Sequence, residues 1–237
     1  MQTVEDLDNA FQALRIETPP ATLREIALER LRRAIIIGLF EPGARLVERK
    51  LCEQLGVSRS VIREVIRHLQ AEGLVEVIGR QGPIVTRLNW TDAAQIYDIR
   101  AALESRAVAD CARRMDNVLK TELEQALDDI DRQAQAQNPL GILDATTRFY
   151  QLIFSASGHL IAWDIVSRLN SRISRLRVMT LSTPERTRQG PAQIRTIFEA
   201  IVAGDAEAAA AACRAHVAAA AQIAEQILLE IHALTDE

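Results

Sequence analysis

The chain has 237 residues, 48% of them hydrophobic, and a formal net charge of −4. That is enough apolar material for one large domain or two ordinary ones. No run of about 18 apolar residues occurs, which excludes a membrane-spanning helix, and the opening MQTVEDLDNAFQALRIETPP is polar and acidic, unlike a signal peptide. Cys52, Cys111 and Cys213 are odd in number and scattered. They argue against a disulfide framework or a zinc finger and predict buried or half-buried thiols in a cytoplasmic protein.

Residues 1–20 show no long period, end in Pro19-Pro20, and read as a tail. Thr22 caps a predicted helix over 23–38, with Leu23, Ile26, Ala27, Leu31, Ala34 and Ile35 on its buried face. Gly38 ends that helix, and Glu41-Pro42-Gly43 turns the chain. Two short helices follow at about 48–55 and 58–72. Leu51, Leu55, Val57, Val61, Ile62, Val65, Ile66 and Leu69 form an apolar seam across them. Gly56 stops the first, Ser58 caps the second, and Gly73 ends it. Residues 74–78 are β-rich, 79–82 read as a loop, and 84–86 return as a second strand. A helix, a helix-turn-helix and a hairpin in that order make a winged helix-turn-helix over 21–88.

Leu88-Asn89-Trp90 is the joint. Beyond it, residues 91–237 are helical almost without interruption, with candidate helices at 92–115, 118–136, 140–156, 159–181, 185–203 and 205–231. The expected fold is therefore mostly α, a winged helix-turn-helix with a small β-hairpin wing followed by an all-α antiparallel bundle. The alanine-rich stretch 206–222 reads as a tightly packing helix, since alanine is the best helix former. Charge is divided along the chain. Residues 21–90 hold 12 Lys and Arg against 8 Asp and Glu, whereas residues 91–237 hold 15 against 20. A basic module on an acidic body suits a DNA-binding unit attached to a regulatory domain.

Arg59 and Arg63 lie four apart and share a helix face turned away from most of the apolar seam. A helix held by its apolar side, with arginines near its N-terminus, can read base edges in a major groove. For Arg63, an intrahelical ion pair with Glu64 is a competing reading.

The segment Leu31–Val85 carries the run PG-x-RL-x-ER-x-L-x-x-x-LGVSR-x-x-x-RE and resembles the GntR family of bacterial transcription factors. The helical remainder resembles the FCD ligand-binding domain of the FadR-type subgroup. Its landmarks are Asp98-Ile99-Arg100 with Glu104, Phe149 with Ser155-Ala156-Ser157-Gly158, and Ile197-Phe198-Glu199-Ala200-Ile201 with Gly204-Asp205 and Ala215-His216-Val217. The resemblance implies homodimers on short palindromic operators in double-stranded DNA, controlled by a small-molecule effector. It implies DNA contacts for Arg49, for Ser58, Arg59, Ser60 and Arg63 at the tip of the recognition helix, and for Gly79, Arg80, Gln81 and Gly82 in the wing.

Many FCD domains also hold a divalent metal with one Asp and up to three His. Here Thr146 stands at the Asp position, Tyr150 and Ile194 stand at His positions, and only His216 matches. Thr, Tyr and Ile are poor substitutes for carboxylate and imidazole, so no metal or other cofactor is expected. Asp144, two residues off the Asp position, is expected to point elsewhere. The candidate effector-binding residues are Arg100, Thr146, Arg148, Tyr150, Asn170, Ile194 and His216, with arginine suited to a carboxylate. Competing readings are an Arg100–Glu104 ion pair, and a core His216 bonded to Tyr150 or Thr146. Arg172, Arg175, Arg177, Arg186 and Arg188 read as a solvated face or as ion pairs across a dimer.

No nucleophile–base pair, phosphate loop or dinucleotide fingerprint appears, so an enzyme is not expected. The expected function is a transcriptional repressor whose operator affinity a small carboxylate controls. The alternative is a constitutive repressor or architectural dimer that has lost its effector.

Overall fold

The computed structural model describes residues 22–235, apart from the side chains of Arg80, His232, Leu234 and Thr235. The tail expected over 1–20 lies outside the described residues. Ten α-helices and one hairpin follow: α1 (Leu23–Ile36), α2 (Glu48–Leu55), α3 (Arg59–Ala71), β1 (Val75–Ile78), β2 (Gly82–Val85), α4 (Trp90–Ala112), α5 (Asn117–Gln135), α6 (Pro139–Ser157), α7 (Leu160–Arg172), α8 (Ser174–Leu181), α9 (Pro184–Val202) and α10 (Ala206–Thr235).

The N-terminal elements begin and end where the sequence offers hydrogen-bonding groups to their unpaired backbone ends. Thr22 and Glu25 form a reciprocal capping box at the start of α1. Gly56, with φ +67°, closes α2 in the left-handed region and turns the chain toward α3. Ser58 then accepts from the Val61 N–H to cap α3. The strands pair antiparallel with Val75 opposite Val85 and Ile78 opposite Gly82. Between them, Gly79–Gln81 forms a 3-10 turn. Ala27, Leu31, Ile35, Leu46, Leu51, Ile62, Val65, Leu69, Leu74, Val75 and Val85 make the core of this unit. The buried face of α1 differs from expectation. Leu28 is buried, while Leu23 and Ile26 are 67% and 40% exposed. The helix leans on its neighbours through Ala27, Leu28, Leu31 and Ile35, one stripe further round, which leaves its first apolar turn outside.

In the bundle, Asn89, Asp116, Asn138, Thr183 and Asp205 each accept a backbone N–H at a helix start. Pro139 and Pro184 occupy first-turn positions, where a missing N–H costs nothing. The alanine-rich α10 lies along α4. It buries Ala209, Cys213, Val217, Ala220, Ala224 and Leu228, a spacing of three and four that makes one narrow stripe. The stretch expected as one helix over 159–181 is two. Ile173, at φ −103° and ψ +12°, leaves helical geometry and separates α7 from α8. The bundle therefore has seven helices among the described residues, one more than the six candidate stretches, a count between six and seven that the sequence leaves open. All three cysteines are free, Cys111 and Cys213 buried and Cys52 half-buried. No helix among the described residues is long and apolar enough to cross a membrane.

Short α8 sits between the two units. Arg175 donates from Nη1 to the Phe40 carbonyl oxygen at 3.1 Å. Its guanidinium packs on Gly38 so closely that a Cβ there would come within 2.9 Å of Nη1. Arg33 of α1 meets Asp144 of α6 at 3.4 Å, which places Asp144 at the surface between the units, as its register offset implies.

Asp110, on α4, gathers His159 Nε2 and Arg106 Nε at 2.8 Å each, and Arg113 Nη1 at 2.5 Å. The His159 bond, then the Arg106 bond and charge, outweigh partial burial and hold the carboxyl at about 2. The unfolded chain therefore takes up this proton at higher pH than the folded one, and the stabilisation is lost as pH falls. Asp110→Asn is expected to be less stable than the parent at pH 7. That deficit should close between about pH 4 and pH 2, read by urea unfolding across the range. A deficit independent of pH would exclude the carboxylate as its source.

Candidate nucleic-acid interface and bundle cavity

The outer face of α3 presents Arg59, Ser60, Arg63 and Arg67 to solvent. The Ser58 and Ser60 hydroxyls lie 2.8 Å apart at its N-terminus. Arg63 pairs with Glu48 of α2 at 3.0 Å, not with Glu64, which is taken by Arg24 at 3.3 Å. Arg49 and Arg59 have no carboxylate partner among the described residues. Together with Arg45 they border one surface hollow, an arrangement suited to phosphate oxygens or base edges. Arg45 escaped the sequence reading. Its neighbour Leu46 enters the core, and the short bridge of Arg45 to Ile84 aims the arginine outward beside the wing. Gly79 and Gln81 are exposed at the wing tip and Gly82 is half-buried. Arg80 has its backbone in the same turn, and its side chain lies outside those described.

A second site lies inside the bundle. Tyr97 and Arg100 of α4, Thr146 of α6, Arg177 and Thr180 of α8, Arg186, Thr187, Pro191 and Ile194 of α9 and His216 of α10 line one cavity. The cavity has a volume of about 40 Å³. Of the seven residues expected to bind an effector, Arg100, Thr146, Ile194 and His216 line this space. Three do not. Arg148 borders an outer groove with Gln151, Leu152 and Trp163. Tyr150 is buried against Cys213 Sγ at 3.7 Å. Asn170, on α7, is outside the lining, and no residue of α7, which packs on α4, α6 and α8, reaches it.

Arg100 pairs with Glu104 at 2.8 Å, both side chains almost fully buried, and stands 5.3 Å from the centroid of the Tyr97 ring. Burial opposes its charge, but Glu104 outweighs burial and raises its pKa further. Arg177 and Arg186 have no such carboxylate. Burial, and then Arg100 beside it, push the Arg177 pKa down to about 10. Burial does the same to Arg186, also to about 10. Both remain cations at neutral pH. Arg186 and Arg177 had read as a solvated face or a dimer contact. The structure turns both inward, while Arg188 stays exposed and Arg172 and Arg175 face the winged unit.

His216 is bonded to neither Tyr150 nor Thr146. Arg186 Nη2 lies 3.1 Å from its Nε2 and 3.3 Å from its Nδ1. One atom that near both ring nitrogens must sit over the ring, because in the ring plane it would collide with the carbon between them. Burial, then Arg186, keep the His216 pKa well below its ordinary value, so the ring is neutral. Arg186 Nη1 also donates to Gln193 Oε1 at 2.6 Å. A guanidinium resting on the one matching histidine, beside Thr146 and Ile194, does not fit a divalent ion. The ligands are missing, and a cation already occupies their approach. Among the described residues no group of three or more His, Cys, Asp or Glu could hold a metal.

The chain matches the FCD domain over residues 95–219 and the bacterial regulatory proteins of the gntR family over residues 23–85. It is 30% identical over 187 residues to the HTH-type transcriptional regulator YdhC of Bacillus subtilis, covering 78% of this chain and 84% of that one. It is 26% identical over 203 residues to the HTH-type transcriptional repressor RspR of Escherichia coli, covering 84% of this chain and 88% of that one. Among solved structures it is similar to E. coli McbR/YncC, with a TM-score of 0.71 at 24% identity, covering 90% of this chain and all of that one. Those relatives are transcriptional regulators rather than enzymes, and the present chain belongs to the same family, as a GntR-type transcriptional regulator with an FCD domain.

Proposed function

We propose that this regulator is a metal-independent repressor, acting in the cytoplasm as a homodimer on a short palindromic operator, and that a small organic acid in the bundle cavity controls it. The observation that carries the effector reading is the inward turn of Arg177 and Arg186 beside an unpaired buried hydroxyl, Thr146 Oγ1. Buried polar groups without partners are costly in a chain that never binds anything there. On this reading Arg49, Ser58, Arg59, Ser60 and Arg63 contact DNA, with the wing residues Gly79, Arg80, Gln81 and Gly82 beside them. Repression is supported by the similarity to RspR, which is named a transcriptional repressor.

Control is geometric. Two recognition helices must sit about 34–36 Å apart to enter successive major grooves. Helix α8 contributes Arg177 and Thr180 to the cavity wall and Arg175 to the Phe40 carbonyl of the winged unit. A ligand that favours one packing of α8 therefore changes how the winged unit is held. Helix α4, which begins at Trp90 directly after the wing, offers a second connection.

The test is a thermal-shift screen of organic acids on protein dialysed against EDTA. Each hit is then followed by gel shift on the operator recovered by in vitro selection. The expected result is an acid that raises the melting temperature and releases DNA. If no acid changes operator binding, the constitutive repressor is the correct reading instead.

A further inference from the structure

The charges lining the bundle cavity do not balance. Arg100, Arg177 and Arg186 bring three guanidinium groups to it. Glu104 takes Arg100 through bonds of 2.8 and 3.4 Å. Neither Arg177 nor Arg186 forms a salt bridge among the described residues, and the charge of Glu104, already bonded to Arg100, reaches Arg177 only at longer range. Their neighbours in the cavity are neutral hydroxyls, the His216 ring and apolar side chains. Arg186 is buried and Arg177 half-buried; a cation so poorly solvated is unfavourable until an anion reaches it, and a planar guanidinium takes a carboxylate with two parallel bonds.

The rest of the lining narrows the ligand. Thr146 Oγ1 is 5% exposed at the residue level and has no hydrogen-bond partner, so its hydroxyl is available as a donor. Thr180 and Thr187 already donate to backbone carbonyls at 2.8 Å. Ile130, Ile142, Ile194 and Ala220 form an apolar wall in the same space. A single tetrahedral inorganic ion has nothing to place against that wall, whereas the carbons between two carboxylates do. One water needs roughly 10–15 Å³, so a cavity of about 40 Å³ selects a compact ligand, and a diacid is seated only as the lining side chains adjust around it.

We propose that this cavity is a metal-free site for a compact dicarboxylate of about two to four carbons, with one carboxylate on Arg177, the other on Arg186, and the Thr146 hydroxyl as an added donor. In this assignment the Arg186 guanidinium over His216 takes the place of the divalent ion used by related domains. The proposal rests on the bundle being an effector domain, and it adds the ligand's charge, its size and the groups that hold it.

Isothermal titration of the full-length protein in EDTA, with malonate and succinate against propionate and inorganic phosphate, tests it. A diacid is expected to bind at least about tenfold more tightly than propionate or phosphate, since loss of one charged bidentate contact is worth that much or more. Adding Zn²⁺ should leave the affinity unchanged. Arg177→Gln and Arg186→Gln should each weaken the diacid by about tenfold or more, while the ligand-free Arg177→Gln protein melts no lower than the parent, because a poorly solvated cation without a salt bridge has been removed. Thr146→Val, which keeps the shape, should weaken it several-fold and guards against a folding defect in the arginine variants.

Equal binding of propionate, better binding of phosphate, a requirement for Zn²⁺, or full diacid affinity in both arginine variants would each overturn the assignment. Gel shift separates this from the broader reading. A neutral or singly charged compound that releases DNA while diacids fail to bind removes the dicarboxylate site and keeps the effector. A diacid that binds without altering operator affinity keeps the site and removes the effector role.

Discussion

Glu104→Ala is expected to destabilise the folded chain by about 3–5 kcal/mol, the usual cost of stranding one partner of a buried ion pair. Glu104 is fully buried and Arg100 is 3% exposed, so solvent does little to screen the uncompensated charge that would remain. The pair is one helical turn apart on α4, and the Tyr97 ring flanks the guanidinium. Removing the carboxylate would leave three unpaired guanidinium groups around one small space. Urea unfolding followed by circular dichroism reads the effect. The double variant Arg100→Met with Glu104→Leu should recover most of the loss, because replacing both members of a buried pair by apolar groups is often neutral. A loss below about 1 kcal/mol for the single variant would show that the pair is solvated in solution.

Arg59→Ala is expected to weaken operator binding by about 1–3 kcal/mol for each half-site, or roughly five- to 150-fold for one and more for a dimer. Arg59 lies at the first turn of α3, exposed, with no acidic partner among the described residues. Nothing within the chain has to be given up when it reaches a base. Arg63→Ala should cost less, because Glu48 already holds that guanidinium at 3.0 Å and must release it. Arg49→Ala should weaken all sequences about equally and lower the salt slope by about one, as a phosphate contact does. Fluorescence anisotropy at two salt concentrations separates the three. An unchanged operator affinity for Arg59→Ala would remove it from the reading face.

The winged unit was legible because its ends are written in local chemistry. Thr22 with Glu25, Gly56 and Ser58 fix helix limits through bonds that residue type alone makes foreseeable. The first turn of α1 was misread since Leu23 and Ile26 continue an apolar pattern that tertiary packing does not use. The break at Ile173 was invisible for the opposite reason. No glycine or proline marks it, and a buried β-branched residue carries the kink. In the cavity, Arg100, Thr146, Ile194 and His216 were found by position along the chain, whereas Arg177 and Arg186 were not. Both sit in a stretch rich in arginine and hydroxyl residues that reads as surface. Their inward placement depends on how α8 and α9 approach α4 and α10, which no single-helix period records. Arg186 did carry one clue, its place in the first turn after the Thr183 cap, where a cation is unfavourable beside the helix N-terminus without a compensating reason.

Helix α8 is only eight residues long, yet Arg175 and Arg177 on it face different units of the protein. If a cavity ligand controls operator binding as proposed, thermodynamic linkage makes that coupling run in both directions with one magnitude. Whatever factor such a ligand took from operator affinity, bound operator would take from ligand affinity. The winged units, engaged on DNA, would thereby raise the ligand concentration needed to free them, so that the threshold of the switch is set in part by the DNA it occupies.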